Sequence, residues 1–513
     1  MSSSGTQPPP EPLPPMQPEK IALSVQITGS GRGVVTSTPS GIDCGATCSA
    51  GFAPKTQVTL MAASHPGSQF VGWSGACTGT GACSVKLDRE QAVTASFDSL
   101  GVQALNHIVF MLQENRSFDH MLGHLPEYWL ANGYPPQPFD GMPVGASNPS
   151  YDGSSTISAF RLLTSCVEGL SPAWNESHVD WNRSNPISAT ATLDGFVRTA
   201  AGHARGNGFF DTEGRRAVGY YDHNILPYYH FLASNFAISD RWFSSVMTRT
   251  QPNRMYLIAG TSAGRVYPPV AQLTNKTIFQ LLDERGISYK IYVTDYLNGS
   301  PVTYFTMFSY ANQHMNKVVP LSQYFEDVQN GTLPQVAMID SGYVSGLDEH
   351  PSAGSVQKGA HHVSTLINAL MNSPSWKDSV FLLTYDEFGG LYDHVPPQPT
   401  VHPDGIAPVD LQPGDICTTV AGPNCDFVYT GYRVPLIVIS PFARRNYVSH
   451  TVADLTAILK FIETRFGLPS LTARDAAQMD MTEFFDFVDP PWIKPPVPPA
   501  QPRNAPCYHD HLP

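Results

Sequence analysis

Two short stretches put carboxylates where apolar runs stop. Ile108 to Leu112 is apolar and gives way, after Gln113, to Glu114, Asn115, Arg116, Ser117, Phe118, Asp119 and His120. Val380 to Tyr385 is built alike and gives way to Asp386, Glu387, Phe388, Gly389, Gly390, Leu391, Tyr392, Asp393 and His394. Apolar runs of this length read as buried strands, and open α/β sheets gather ligands at the carboxyl ends of such strands. Two strands ending this way would bring Glu114, Asn115, Asp386 and Glu387 around one hard divalent cation, Ca, Mg or Mn, because oxygen-rich sets suit those ions. Gly389 and Gly390 would let the backbone pass close to a ligand. Taken alone, Glu114 and Asn115 read equally as a polar strand exit with an Asx turn. The repeat of the design at Asp386 and Glu387 argues for a site.

Between the two stretches stand Met247, Thr248, Arg249, Thr250, Gln251, Pro252, Asn253 and Arg254. The three segments together, in this order, resemble the bacterial phosphoesterase family that contains secreted phospholipases C and a group of acid phosphatases. The likeness runs from about Asn106 to Pro469. It implies an alkaline-phosphatase-like fold and places Thr250, the residue two before Pro252, as the nucleophile, also bound to the cation with Glu114, Asn115, Asp386 and Glu387. Pro252 in a first helical turn would start a helix behind it and aim amide groups at the developing anion. Family members commonly carry Gly-Pro before this Thr, whereas Thr248 and Arg249 stand here, which leaves Thr248 as a rival nucleophile. The likeness further implies that His178, His350 and His394 surround the phosphate together with Asn115, one of the histidines protonating the leaving oxygen; which one stays open. Arg116 reads either as a phosphate clamp or as a partner of Asp119.

The substrate expected is a phospholipid cleaved as by a phospholipase C, with a small phosphomonoester as the acid-phosphatase alternative. Tyr220, Tyr221, Tyr228, Tyr229 and Trp242 lie close in sequence and could form a cage for a quaternary ammonium, but such clusters are more often core. Sulfatases are excluded, because Thr250 cannot be oxidised to formylglycine. A third reading is a surface adhesion protein with an inactive hydrolase domain. The intact set of Glu114, Asn115, Thr250, Asp386 and Glu387 speaks against it.

The elements that must position these residues follow from the rest of the chain. With 30 basic and 43 acidic residues among 513, net −13, general binding to nucleic acid is not expected. No apolar run reaches 18 residues, so no membrane span is expected, though a peripheral membrane contact is allowed. Residues 1–20 are rich in Ser and Pro and read as a disordered linker without a signal segment. Eight cysteines point to export into an oxidising compartment. The economical pairing is Cys44 with Cys48, Cys77 with Cys83, Cys417 with Cys425, and Cys166 with Cys507; metal ligation is the weaker rival.

Residues 21–98 carry short, alternating, β-branched segments punctuated by Gly and Pro and read as a small all-β module. Gly72, Trp73, Ser74 and Gly75 followed by Cys77 resemble a bacterial surface β-repeat, which implies a spacer or an adhesive role. Residues 105–470 alternate strands (287–293, 335–339, 434–440) with helices (277–285, 362–372, 451–466), the pattern of an α/β domain with a mostly parallel central sheet. Residues 471–513 form a Pro-rich extension expected to lie on that domain, held by Cys507. Oligomeric state is not legible.

Overall fold

In the computed structural model, residues 5, 19–351 and 354–512 are described, so the linker expected over 1–20 lies almost wholly outside the described residues. The chain divides into two compact units, Met1–Ala104 and Leu105–Pro513. The first holds two four-stranded sheets over residues 21–99. Alternating side chains turn Leu23, Val25, Val35, Val58, Leu60, Trp73, Val93 and Phe97 into one core, as period-2 patterning requires. Cys44–Cys48 and Cys77–Cys83 close two of its loops.

The second unit is built on eight strands: β1 (His107–Gln113), β2 (Ala237–Ser239), β3 (Tyr289–Val293), β4 (Val318–Pro320), β5 (Val336–Asp340), β6 (Ser379–Tyr385), β7 (Leu436–Ile439) and β8 (Tyr447–Ser449). Their order is β4-β3-β5-β1-β6-β7-β2-β8. All neighbours are parallel except the two pairs made by β7, which runs against both β6 and β2. The central strands are buried almost throughout, with only His107 at the start of β1 half-buried, which is why they read as continuous apolar runs and show no alternation. This is the mixed α/β architecture, with a small all-β region before it, that the sequence predicts.

Helices differ from the sequence reading mainly at their starts. Val356–Met371 begins before the predicted 362, because Gly359 interrupts the apolar pattern without breaking the helix. Thr456–Phe466 begins after the predicted 451, because Ala453–Asp454 instead pairs with Trp242–Phe243. Among the described residues past 470, a short helix, Ala473–Ala476, and one 3-10 turn, Thr482–Phe484, interrupt the coil. Trp492 packs on Phe236, its carbonyl accepts from the Trp376 indole, and Cys507 is joined to Cys166. Cys417 and Cys425 form the fourth disulfide, and no described cysteine is free.

Candidate active site

Because β1, β5 and β6 lie side by side and point the same way, their exits converge. Asn115 leaves β1 with φ of 65°, a left-handed turn that Asn tolerates, and its N–H donates to Asp386 Oδ1 at 3.2 Å. Gly389 passes so near that a Cβ there would stand 2.2 Å from the Asn115 carbonyl oxygen. The Glu114 N–H donates to the Asp348 carbonyl at 2.8 Å, and the Gly389 N–H donates to Glu387 Oε2 at 2.6 Å.

Thr250 is the first residue of the helix Thr250–Ala259; Arg249, not Thr250, occupies the cap position, and no side chain caps that end. The rest of the Pro-Asn-Arg run has two distinct jobs. The Asn253 amide accepts from the N–H groups of Ser245 and Val246 and donates to the carbonyls of Val246, Thr248 and Arg249, pinning the loop that delivers Thr250. Arg254 runs back under the sheet exits and donates to Glu114 Oε1 at 3.2 Å, Asp386 Oδ2 at 3.3 Å and the Leu112 carbonyl at 3.1 Å, with its guanidinium 4.1 Å from the Tyr304 ring centre. The Tyr304 hydroxyl donates to the same Glu114 oxygen. Thr248 is fully buried and donates to the Val266 carbonyl, so its hydroxyl is committed elsewhere.

A cavity of about 480 Å³ opens over this floor. Glu114, Asn115, Arg249, Thr250, Tyr304 and His350 lie on its wall, with Leu170, Pro172, Val302 and Tyr343 supplying apolar surface. His350 Nδ1 faces the Pro351 carbonyl at 2.5 Å, so that nitrogen carries the hydrogen and Nε2 is the one able to exchange a proton. His350 is placed by Glu349, whose backbone has φ of 69° and whose buried carboxylate accepts from Tyr229, Tyr385 and Gln113. The Glu349 carbonyl takes both Nε and Nη2 of Arg116. Arg116 is therefore neither a phosphate clamp nor a partner of Asp119.

Of the three predicted histidines only His350 reaches the cavity. His178 sits in the helix Trp174–Trp181, fully buried, with its ring nitrogens against the carbonyls of Trp174 at 2.7 Å and Asn424 at 3.1 Å. His394 stands between Asp119 at 2.7 Å and Asp140 at 3.1 Å. Burial pulls its pKa down, but the hydrogen bond and charge of Asp119 outweigh that and raise it. Tyr221, Tyr228, Tyr229 and Trp242 are buried core, not a cage on the cavity. Residues that the sequence reading left without a role here are Arg254, Tyr304, Asp348 and Glu349. Arg254 had a signal, since it closes the Pro-Asn-Arg run, and so did Asp348 and Glu349, which stand directly before His350; Tyr304 had none.

Burial dominates the electrostatics. It raises Glu114, against the pull of Arg254, and lifts Asp386 and Asp348 to about 6; Glu387 is held well above its ordinary value, by burial and then by the Asp386 charge. Asn115 Oδ1, Glu387 Oε1 and Asp348 Oδ2 are buried acceptors with no donor. Orphaned oxygens beside raised carboxylates fit a hard cation, which would satisfy them. Glu114, Asp386 and Glu387 do not bring three ligand oxygens within 4.8 Å of one another, because the Arg254 guanidinium lies between the first two. Asp119, Asp393 and His394 do converge that closely, but Arg433 donates to Asp393 at 2.8 Å and Asp119 at 2.9 Å and already supplies their cation.

Comparison with known proteins gives the family. Residues 105–469 match the phosphoesterase family. The chain belongs to that family. Residues 23–100 match the divergent InlB B-repeat domain. Phospholipase C A of Mycobacterium tuberculosis is 30% identical over 470 residues, 81% of this chain and 84% of that one. Non-specific phospholipase C1 of Arabidopsis thaliana is 30% identical over 75% of this chain and 71% of its own. Among solved structures, a member of the alkaline phosphatase superfamily from Vibrio parahaemolyticus shows a TM-score of 0.31 at 14% identity over 50% of this chain and 64% of that one. As a member of the phosphoesterase family, the protein is a phosphoric ester hydrolase.

Proposed function

We propose that this phosphoesterase is an exported phospholipase C that cleaves phosphatidylcholine-like phospholipids through a phosphothreonine at Thr250. The observation that carries the reading is that Thr250, Glu114, Asn115 and His350 lie on the wall of one cavity whose other surface is partly apolar. The names of the relatives, phospholipases C from bacteria and a plant, support the diester over the monoester. Four disulfides suit an oxidising compartment, and no helix among the described residues is long and apolar enough to cross a membrane.

Glu114, Asn115, Asp386 and Glu387, with the Thr250 hydroxyl, would hold one hard divalent cation. When bound, that cation would lower the pKa of an adjacent hydroxyl and absorb charge on phosphoryl oxygens. The chain's own groups do the rest. Asn253 fixes the loop so that Thr250 Oγ1, having given up its proton to solvent in the open cavity, is presented for in-line attack at phosphorus. His350 gives its Nε2 proton to the departing diacylglycerol oxygen and recovers one from the water that later releases the phosphoryl head group. Arg254 and Tyr304 steady Glu114 from below.

Thr250→Ala tests the covalent step. Its turnover of p-nitrophenyl phosphorylcholine should fall to background with the melting temperature unchanged. Appreciable residual turnover would exclude Thr250 as nucleophile, and preference of the wild type for p-nitrophenyl phosphate would make it a phosphatase.

A further inference from the structure

Two loop tips rise beside the cavity. One is the hairpin in which Tyr296–Leu297 pairs with Ser300–Pro301, and its chain runs straight on into Val302, Thr303 and Tyr304 of the cavity wall. The other contains Tyr343, which lines the same cavity, and Val344. Asp295 ties the two together, its Oδ2 accepting from the N–H groups of Val344 at 2.6 Å and Ser345 at 3.1 Å. On these tips Tyr296, Leu297, Tyr343 and Val344 are 45%, 56%, 52% and 53% exposed. Residues 296–302 and 341–347 contain no Asp, Glu, Lys or Arg, in a chain where 73 of 513 residues are charged.

Large apolar side chains gathered on adjoining exposed tips mark an interaction site more readily than the same side chains scattered singly. The geometry points to these two tips as a docking rim that inserts into the surface of an electrically neutral, zwitterionic phospholipid layer and seats the cavity over a head group. This rests on the phospholipase C reading and deepens it. Three features select the occupant. The rim is continuous with the cavity that must receive the phosphate, so the surface it enters is the one that supplies substrate. Tyr and Leu suit the boundary between head groups and acyl chains. Residues 296–302 and 341–347 carry no basic side chain, Lys358 beside them is engaged by the Ser345 carbonyl at 2.7 Å, and the chain is net −13, so the rim offers an anionic layer little attraction.

The test uses the full chain. Leu297 and Val344 do not line the cavity, so the double variant Leu297→Ser, Val344→Ser should turn over soluble p-nitrophenyl phosphorylcholine as the wild type does. In the Thr250→Ala background, which leaves lipid intact, sedimentation with phosphatidylcholine vesicles should weaken roughly tenfold per side chain removed. Val344→Trp should tighten it, and adding phosphatidylserine should not. Equal vesicle binding by both proteins, no binding by the parent, or loss of soluble turnover in the double variant would each overturn the rim. Self-association that the double variant abolishes would overturn it in favour of a second copy of the chain. Vesicle binding that needs the rim, from a wild type that hydrolyses neither soluble nor vesicle substrate, would leave the rim standing and remove the phospholipase C reading instead.

Discussion

Arg254→Met separates the work of the buried guanidinium from that of a divalent cation. Met keeps most of the volume and removes the charge, leaving Glu114 and Asp386, both buried, without the donor that now lies 3.2 and 3.3 Å from them. Breaking a buried pair from one side costs about 3–5 kcal/mol. The unit Leu105–Pro513 should unfold with an entropy of roughly 2.1 cal/mol/K per residue, so about 4 kcal/mol is a fall in melting temperature of about 5 °C. That fall should appear with chelator present. A cation held by the same carboxylates replaces part of the lost charge, and at about 100 times its Kd it returns about 2.7 kcal/mol. The variant should therefore depend on Ca, Mg or Mn more steeply than the wild type. Thermal melts of both proteins, with chelator and with each metal in turn, check this. Equal melting temperatures in chelator, or equal gains on adding metal, would refute the view that Arg254 and the cation share these carboxylates.

Two further outcomes rest on other parts of the fold. Burial, reinforced by Asp475, lifts Glu463 to about 8, against an ordinary value near 4.5, so the folded chain keeps a proton that the unfolded chain releases. That contribution is complete below about pH 4.5 and is lost as pH rises through about 8. Glu463→Gln, which mimics the protonated form, should gain on the wild type in melting temperature between pH 5 and pH 8; a constant difference would sink this. Cys507→Ser opens a covalent loop spanning a sequence separation of 341 and should cost about 3–5 kcal/mol, read from the denaturation midpoint under oxidising conditions. An unchanged midpoint would mean that packing around Trp492 and Gln501 alone secures the tail.

The strands were the most legible part of the chain, because β1, β6 and β7 are buried on both faces and carry unbroken apolar runs. The cysteine pairing was legible where partners are close in sequence, and Cys166 with Cys507 followed by remainder. What the sequence hid is long-range. Glu349 stands next to His350, but nothing local shows what holds its carboxylate, since its partners Gln113, Tyr229 and Tyr385 come from three distant segments. His178 and His394 misled because a histidine inside a motif can serve a carbonyl or a carboxylate as readily as a phosphate.

The tails of the two acidic motifs show why both run on past Glu114 and Asp386. Ser117 donates to the Tyr392 carbonyl at 2.7 Å, and the Asp119 N–H donates to Asp393 Oδ2 at 3.2 Å, so the segments after Glu114 and Asp386 are stitched to each other. Arg433, fully buried, clamps Asp119 and Asp393 together, and its own carbonyl accepts from the Phe118 N–H. This clamp explains the one reversed strand. Arg433 lies just before β7, and because β7 runs against β6, with Leu436 opposite Thr384, its beginning falls at the carboxyl ends of β1 and β6. A parallel strand in that place would deliver its start to the far edge of the sheet, and Arg433 would not meet the two aspartates. The reversal therefore belongs to the architecture of the site, since it fixes how far apart the segments bearing Glu114 and Asp386 can stand.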